Sequence, residues 1–215
     1  MTGGQNIGLR QAIVDMARML SPQGLGVGKS GNLSARCESG MLITPSAVSY
    51  DAMSLDDIVM VDQSGNVPDN SLRPSSEWRF HQAIYESRPE AGAIVHCHSR
   101  FATALACART PIPAFHYMVA VAGGVDIACA DYAVFGSEEL SGNVLSALEG
   151  RSACLMANHG QVAFGATLSD AFELAREVEE LSAQYCEVLK LDKMHLLSKA
   201  EMDDVLRRFA DYRQA

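Results

Sequence analysis

The amino-acid sequence predicts one α/β domain in which helices cover a mixed or largely antiparallel sheet. Segments with helical and strand-like hydrophobic patterns alternate along the 215 residues, and this alternation indicates an α/β protein. Several neighbouring strand-like segments are joined by short turns, which favours antiparallel pairing. Because no internal repeat, low-complexity segment or linker interrupts the chain, we expect residues 1–215 to form a single domain.

The N-terminal part is predicted to hold a helix, a glycine-rich loop and a strand. Apolar residues at helical spacing indicate an amphipathic helix over residues 7–20. The glycine-rich loop, residues 24–32, contains Gly28-Lys29-Ser30, but a strand-like stretch rather than a helix follows it. An ATP-type phosphate loop is therefore not expected, although backbone N–H groups freed by glycines can hold a phosphate.

Short apolar runs and turn residues predict the remaining elements in order. Strands are predicted at residues 33–37, 41–44, 57–62, 93–98, 125–129, 153–157 and 161–164. Helices are predicted at residues 77–87, 101–108, 137–148, 169–189 and 198–212. Ser75 or Ser76 is the expected N-cap of the helix that begins at Glu77. Thr167-x-x-Asp170 and Ser198-x-x-Glu201 match the capping box that starts the last two helices.

Composition and charge restrict the class of function. Hydrophobic residues make up 48% and charged residues 20% of the chain, as in ordinary globular proteins. The formal charge of -9, with no compensating basic stripe, argues against binding nucleic acid or anionic membranes. The N-terminus lacks a signal-peptide pattern, and no apolar run has the ~18 residues of a transmembrane span. These features predict a cytoplasmic protein.

The six cysteines are scattered and form no C-x-x-C pair or framework spacing. In a cytosolic chain we expect them to be small buried hydrophobic side chains with free thiols. They are Cys37, Cys97, Cys107, Cys129, Cys154 and Cys186.

Three histidines and one glutamate form a candidate metal site. Because His96 and His98 are two residues apart on a predicted strand, their imidazoles should point to the same face. His159 follows another predicted strand at a turn, and Glu77 lies at a predicted helix start. Imidazole nitrogens and a carboxylate suit a divalent ion such as zinc. Cys97 should point to the opposite face and is rejected as a ligand.

Spacing alone leaves a second interpretation of these residues open, in which the histidines are satisfied polar side chains and Glu77 is a helix-start residue. His81 should share a helix face with Glu77 and is an alternative ligand, although a packing role in the helix is favoured. The donors at this helix start are also suited to an anion, so a substrate phosphate is the functional alternative to capping.

Several motifs together resemble the class II aldolase/adducin superfamily along nearly the whole chain. They are SGNLS at 30–34, MLITPS at 41–46, PSSEWRFH at 74–81, HCH at 96–98, IPAFHYM at 112–118, AGG at 122–124, YAVFG at 132–136 and HG at 159–160. The resemblance implies a three-layer α/β/α sandwich with a central, mostly antiparallel sheet. It also implies a homotetramer of fourfold symmetry with active sites at subunit interfaces.

The same resemblance implies roles for individual residues. One Zn²⁺ per subunit would be bound by His96, His98, His159 and, in the resting site, Glu77, which would also act on a substrate proton. Tyr117 would reach a neighbouring subunit's site as an acid, and Tyr212 would help to close the site. The implied phosphate pocket consists of Gly31, Asn32, Ser46, Ala47, Ser75 and Ser76, with Lys29 beside it.

The implied activity is reversible cleavage of a ketose or deoxyketose 1-phosphate to dihydroxyacetone phosphate and a small aldehyde. Same-fold alternatives are a 4-epimerase of ribulose 5-phosphate and a dehydratase of methylthioribulose 1-phosphate. An adducin-like structural module is the non-enzymatic alternative.

Two residues depart from the pattern of the family's aldolases, which often have Thr at the position of Lys29 and Gly at that of Ala47. Lys29 is expected to add positive charge near the phosphate, and the alternative is that it faces solvent. A left-handed backbone at Ala47 would cost about 1–2 kcal/mol. These departures leave the aldehyde half of the substrate open.

Overall fold

The computed structural model describes the backbone of residues 6–191 and 193–214, and the side chains of these residues except 212–214. The helices are α1 (Ile7–Met19), α2 (Trp78–Ser87), α3 (Arg100–Cys107), α4 (Glu138–Ala147), α5 (Leu168–Lys190) and α6 (Lys199–Gln214). The strands are β1 (Asn32–Cys37), β2 (Gly40–Ile43), β3 (Val59–Asp62), β4 (Ala93–Cys97), β5 (Cys129–Ala130), β6 (Ala153–Met156) and β7 (Gly160–Gly165). Short 3-10 helices are at Tyr50–Ala52, Leu55–Asp57 and Tyr117–Ala122.

The strands form one seven-stranded sheet in the order β3-β2-β1-β4-β7-β6-β5. Every neighbouring pair is antiparallel except β5 and β6, which are parallel. The predicted mixed and largely antiparallel sheet is therefore confirmed. β4 is the central strand, and its partners β1 and β7 place residues from distant parts of the sequence beside it.

Helices cover both faces of the sheet, so the three-layer sandwich is also confirmed. Alternation along β4 sends Val95 and Cys97 into a core shared with α1, α3 and α5, and Ile94 into a core shared with α2 and α4. His96 follows the alternation toward the α2 side and makes an edge contact with Phe80. In the part of the chain described, no helix has both the length and the apolar character needed to cross a bilayer.

Most predicted elements are present with ends shifted by a few residues, but two predictions are wrong. The strand expected at residues 125–129 is reduced to Cys129–Ala130, since only an isolated bridge joins Ile112 to Ile127 before it. The N-cap of α2 is Glu77 instead of Ser75 or Ser76. The Ser75 hydroxyl accepts the Glu77 N–H at 3.3 Å within the turn before the helix. The carboxylate of Glu77 makes no cap hydrogen bond and is directed to the histidines instead.

Candidate metal centre and adjoining cleft

The three predicted histidines meet at one end of the sheet. His96 is the fourth residue of β4, His98 follows the last residue of that strand, and His159 lies in the turn between β6 and β7. Antiparallel pairing of β4 with β7 sets His96 opposite Val162 and brings the turn alongside. One ring nitrogen of each histidine lies within 4.8 Å of the others, and this group could hold a metal ion.

The hydrogen bonds of His96 leave its inner nitrogen free to bind a cation. Nδ1 of His96 lies 2.8 Å from the carbonyl oxygen of Gln161, and a carbonyl can only accept a hydrogen bond. The proton is therefore on Nδ1, so in the neutral ring Nε2 has a lone pair, which faces Nε2 of His98 at 3.0 Å. A histidine whose outer N–H is held by a carbonyl is the usual arrangement of a metal ligand.

Glu77 adds a buried carboxylate to the cluster. Its Oε2 lies 3.2 Å from Nε2 of His96 and its Oε1 lies 3.1 Å from Nε2 of His159. Oε2 also accepts a hydrogen bond from Nδ2 of Asn32 at 2.9 Å, whereas Oε1 has no hydrogen bond of good geometry among the described residues. Because a buried carboxylate oxygen without a partner is costly, these residues fit a divalent cation bound between them.

The pKa values of the cluster follow from burial and mutual charge. Burial opposes ionisation of Glu77, but the positive charge of protonated His96, followed by the close approach of Nε2 of His159 and of His96, outweighs it, so the pKa of Glu77 is well below its ordinary value. Burial, followed by repulsion from His96 and His159, lowers the pKa of His98 to about 4. His98 is therefore neutral at pH 7, as a metal-binding imidazole must be.

A cleft of about 420 Å³ adjoins the cluster and contains all seven residues predicted for the phosphate pocket. Glu77, His98 and His159 form one wall, and Lys29 is the only Lys or Arg among the described residues that line the cleft. The predicted phosphate residues in this lining are Lys29, Gly31, Asn32, Ser46, Ala47, Ser75 and Ser76.

The two loops that depart from the family pattern contact each other at the cleft. Lys29 is exposed, and its Nζ donates a hydrogen bond to the carbonyl oxygen of Ala47 at 3.2 Å. Ala47 has a left-handed backbone, with φ of 65°. Gly31 also has a positive φ, and a Cβ there would lie 2.6 Å from the carbonyl oxygen of His96. This close approach restricts the position to glycine.

Neither of the two tyrosines predicted to act on the substrate is placed in this cleft by the described side chains. Tyr117 begins a 3-10 helix, is 51% exposed and does not line the cleft of its own chain. The backbone of Tyr212 lies in α6, but its side chain is outside the described residues. The expected contribution of either tyrosine to a neighbouring subunit therefore stays a prediction.

The cleft also has aromatic residues to which the sequence analysis gave no role. Tyr132 and Phe135 line it and are 52% and 64% exposed. In the sequence both residues belong to the YAVFG motif at 132–136, which contributed to the family resemblance but was given no role in the site. Asn158 lines the cleft as well and has a φ of 55° at the turn that orients His159.

The residues considered and disfavoured as ligands lie elsewhere. Cys97 is fully buried in the core on the opposite face of the sheet, as predicted. All six cysteines are free thiols as expected, but apart from Cys97 only Cys154 is buried. The prediction of burial is wrong for the other four, which are partly or fully exposed: Cys37, Cys107, Cys129 and Cys186. His81 is also fully buried and bonds to Asn32 and Ser34 rather than joining the histidine cluster.

An α/β/α sandwich with a candidate metal centre beside a polar cleft has the architecture of a metal-dependent enzyme. The family model described as "Class II Aldolase and Adducin N-terminal domain" matches residues 11–186. The chain belongs to this class II aldolase family, and the predicted family, fold and enzyme class are confirmed.

Similar proteins include characterised types of aldolase. The 5-methylthioribulose-1-phosphate/5-deoxyribulose-1-phosphate aldolase of Rhodospirillum rubrum is 49% identical over 209 residues, which are 97% of this chain and 94% of that protein. The L-fuculose phosphate aldolase of Escherichia coli is 43% identical over 205 residues, 95% of each chain. The solved structure of an L-fuculose 1-phosphate aldolase has a TM-score of 0.93 and 37% identity, and the match covers 98% of this chain and all of that one.

Proposed function

We propose that this protein is a zinc-dependent aldolase that reversibly cleaves a ketose or deoxyketose 1-phosphate to dihydroxyacetone phosphate and a small aldehyde. The convergence of three histidine nitrogens and the Glu77 carboxylate at the wall of a polar cleft is the observation that carries this proposal. One zinc ion per subunit would be held by His96, His98, His159 and Glu77. When bound, zinc supplies Lewis-acid stabilisation of negative charge on the substrate oxygens.

Residues of the chain itself would transfer the substrate proton and bind the phosphate. Glu77 is in place to move a proton at C1 of the dihydroxyacetone phosphate half, because its carboxylate is ionised and borders the cleft. The serine hydroxyls and backbone N–H groups of the loops at 29–32, 45–47 and 75–76 would hold the phosphate. Lys29 would add a positive charge, which offsets part of the unfavourable net charge of -9.

The aldehyde half is proposed to be small and largely apolar. Tyr132 and Phe135 form an aromatic wall of the cleft, and such a wall favours an apolar tail over a polar one. The relatives named for 5-deoxyribulose and 5-methylthioribulose 1-phosphate act on substrates with tails of this type. We therefore favour these two substrates over L-fuculose 1-phosphate.

The assembly and location belong to the same proposal. We infer a homotetramer in which Tyr117 and Tyr212 serve a neighbouring subunit's site, Tyr117 as the acid that exchanges a proton with the aldehyde oxygen. The exposure of Tyr117 outside its own cleft supports this arrangement. A cytoplasmic location is the prediction made from the sequence.

Metal removal and substrate screening test the proposal together. Zinc-loaded protein should release dihydroxyacetone phosphate from 5-deoxyribulose or 5-methylthioribulose 1-phosphate in a coupled assay, and a chelator should abolish this until zinc is restored. His96→Ala should lower kcat by at least about a hundredfold, since metal catalysis contributes several kcal/mol. His195→Ala is the matched control, because His195 is exposed and outside the cluster.

The outcome that would refute the proposal is also defined. If no ketose 1-phosphate yields dihydroxyacetone phosphate, the aldolase assignment is wrong. A product that NMR shows to retain all carbons would indicate an epimerase or a dehydratase instead.

A further inference from the structure

A continuous chain of hydrogen bonds runs from the core to the carboxylate of Glu77. The hydroxyls of Tyr85 and Ser34 are 2.8 Å apart, and the Ser34 hydroxyl is 2.7 Å from Nδ1 of His81. Nε2 of His81 is 2.5 Å from Oδ1 of Asn32, whose Nδ2 donates to Glu77 at 2.9 Å. All five side chains are buried, and Ser34 and His81 are fully inaccessible.

The carboxylate of Glu77 fixes the direction of every hydrogen bond in this series. An ionised carboxylate can only accept, so Asn32 must present Nδ2 to Glu77 and Oδ1 to His81. His81 must then carry its proton on Nε2, and its bare Nδ1 accepts from the Ser34 hydroxyl. The Ser34 oxygen is left to accept from the hydroxyl of Tyr85. Each donor therefore points toward Glu77, and bonds aligned in one sense strengthen one another.

Burial keeps the His81 ring neutral, and its hydrogen-bond partners then select the tautomer. Desolvation, with repulsion from His96, lowers the pKa of His81 to about 3. A doubly protonated ring would have no acceptor for Ser34. A ring protonated on Nδ1 alone would place a lone pair against Oδ1 of Asn32, and the amide would rotate to relieve the repulsion. A rotated Asn32 would present its oxygen to Glu77 and to the cleft.

We propose that His81 is a positioning residue for the reaction: by donating from Nε2 to Oδ1 of Asn32, it keeps the amide nitrogen directed at Glu77. The amide then holds the carboxylate at the cleft wall and offers a donor, not an acceptor, to an anionic substrate. The effect on turnover rests on the proposed aldolase function. The tautomer of His81 and the orientation of Asn32 are inferred independently of that function.

A merely structural role for His81 makes a different prediction. If His81 only fills space and satisfies polar groups in the core, its replacement lowers stability but leaves the kinetics of the folded enzyme unchanged. If it positions Asn32, the folded enzyme itself has a lower kcat and a higher KM. A replacement that keeps an N–H donor near the Nε2 position should then restore both.

Kinetics of two variants separate these roles in the zinc-loaded protein. His81→Leu removes the donor, and we expect a fall in kcat of about 10–100-fold with a rise in KM, as for other groups that orient metal-site residues. His81→Gln keeps an amide N–H that reaches Asn32, and it should recover most of that loss. Ser182→Ala is the control for loss of a buried hydrogen bond, since among the described residues the Ser182 hydroxyl bonds only to the carbonyl oxygen of Val178 in α5. Equal kcat losses in both His81 variants would overturn the proposal.

NMR gives a readout that is independent of turnover. In zinc-loaded protein with ¹⁵N-labelled histidine, the signals lost in His81→Gln identify His81, and its ring should be protonated on Nε2 alone. A ring protonated on Nδ1 or on both nitrogens would overturn the proposal even if the enzyme is active. If wild-type protein releases no dihydroxyacetone phosphate, the proposed function fails, while the tautomer still decides the orientation of Asn32.

Discussion

Ala47 has a backbone conformation that is unfavourable for a residue with a side chain. Its φ of 65° lies in the left-handed region, where a Cβ costs about 1–2 kcal/mol. Two hydrogen bonds hold the backbone of Ala47 in this conformation. The hydroxyl of Ser46 donates to the carbonyl oxygen of Pro74, and Nζ of Lys29 donates to the carbonyl oxygen of Ala47. The strain is therefore located in the loop that we assign to phosphate binding.

Replacement of Ala47 by glycine should stabilise the protein. Gly removes the strain but loses about 0.5–1 kcal/mol through the greater freedom of the unfolded chain, so a net gain of roughly 0.5–1 kcal/mol is expected. Ala183→Gly is the matched control, because Ala183 lies inside α5 and should lose about 1 kcal/mol. Urea unfolding at fixed protein and zinc concentrations measures both. A similar loss in the two variants would show that Ala47 is not strained in solution.

At the scale of elements, the start of α3 is held by a residue of α5. The carboxylate of Glu179 accepts the backbone N–H groups of Phe101 and Ala102 at 2.8 and 2.9 Å. The side chain of Ser99, at the N-cap position, does not cap the helix and instead accepts a hydrogen bond from Gln161. Glu179 thus fixes the turn that contains His98 between β4 and α3.

Removal of this carboxylate should be costly, although it lies outside the cleft. Hydrogen bonds to a charged group contribute about 1.5–3 kcal/mol, so Glu179→Ala should lower the free energy of unfolding by roughly 2 kcal/mol. Glu180→Ala is the matched control, since the adjacent Glu180 is exposed and its loss should change stability by less than about 0.5 kcal/mol. Denaturant unfolding of both variants tests this, and indistinguishable midpoints would contradict the assigned cap.

The contrast between these caps shows how far the sequence could predict elements. Ser137 and the Thr167–Asp170 box were predictable, because a cap and its helix N–H groups lie within a few residues. The Glu179 cap joins residues 78 positions apart, and no local pattern encodes it. The same holds for Glu77, where the attraction of the distant histidines directs the carboxylate away from the helix N–H groups.

The site was predictable to a similar extent. Because side chains alternate between the two faces of a strand, the sequence was sufficient to place His96 and His98 on the same face. Their proximity to His159, however, depends on the pairing of β4 with β7. The resemblance to a family supplied that link. Spacing favoured only a packing role for His81, and the resemblance placed Tyr132 and Phe135 in a motif without a role. The position of His81 behind Glu77 and of the two aromatic residues in the wall of the cleft arises only when the layers pack.

At the scale of the whole molecule, the order of the strands in the sheet brings the residues of the site together. Central β4 carries His96, β1 sets Asn32 directly opposite it, and β7 carries the turn with His159 to the same end. The loops at 45–47 and 75–76 meet there through an isolated bridge between Pro45 and Pro74. One chain thus supplies the candidate metal ligands and the proposed phosphate cleft, whereas Tyr117 lies outside that cleft.

Subunit mixing tests whether Tyr117 completes the site of a neighbour. Tyr117→Phe alone should lower kcat by about a hundredfold or more, as expected for loss of a general acid, and His96→Ala should be inactive for lack of metal. When the two variants are co-expressed with different tags and hybrids are isolated, some sites combine an intact metal centre with an intact tyrosine. Random assembly should restore about one quarter of the wild-type kcat per subunit.

The control for this experiment is a hybrid of His96→Ala with His159→Ala. Both changes damage the metal centre of the same subunit, so no arrangement of subunits can restore a site. Recovery in the first hybrid but not in the second would establish a site shared between subunits. An inactive first hybrid, with intact tetramers, would exclude Tyr117 from a neighbour's site. The acid would then be sought among the described residues that line the cleft, of which Tyr132 is the only tyrosine.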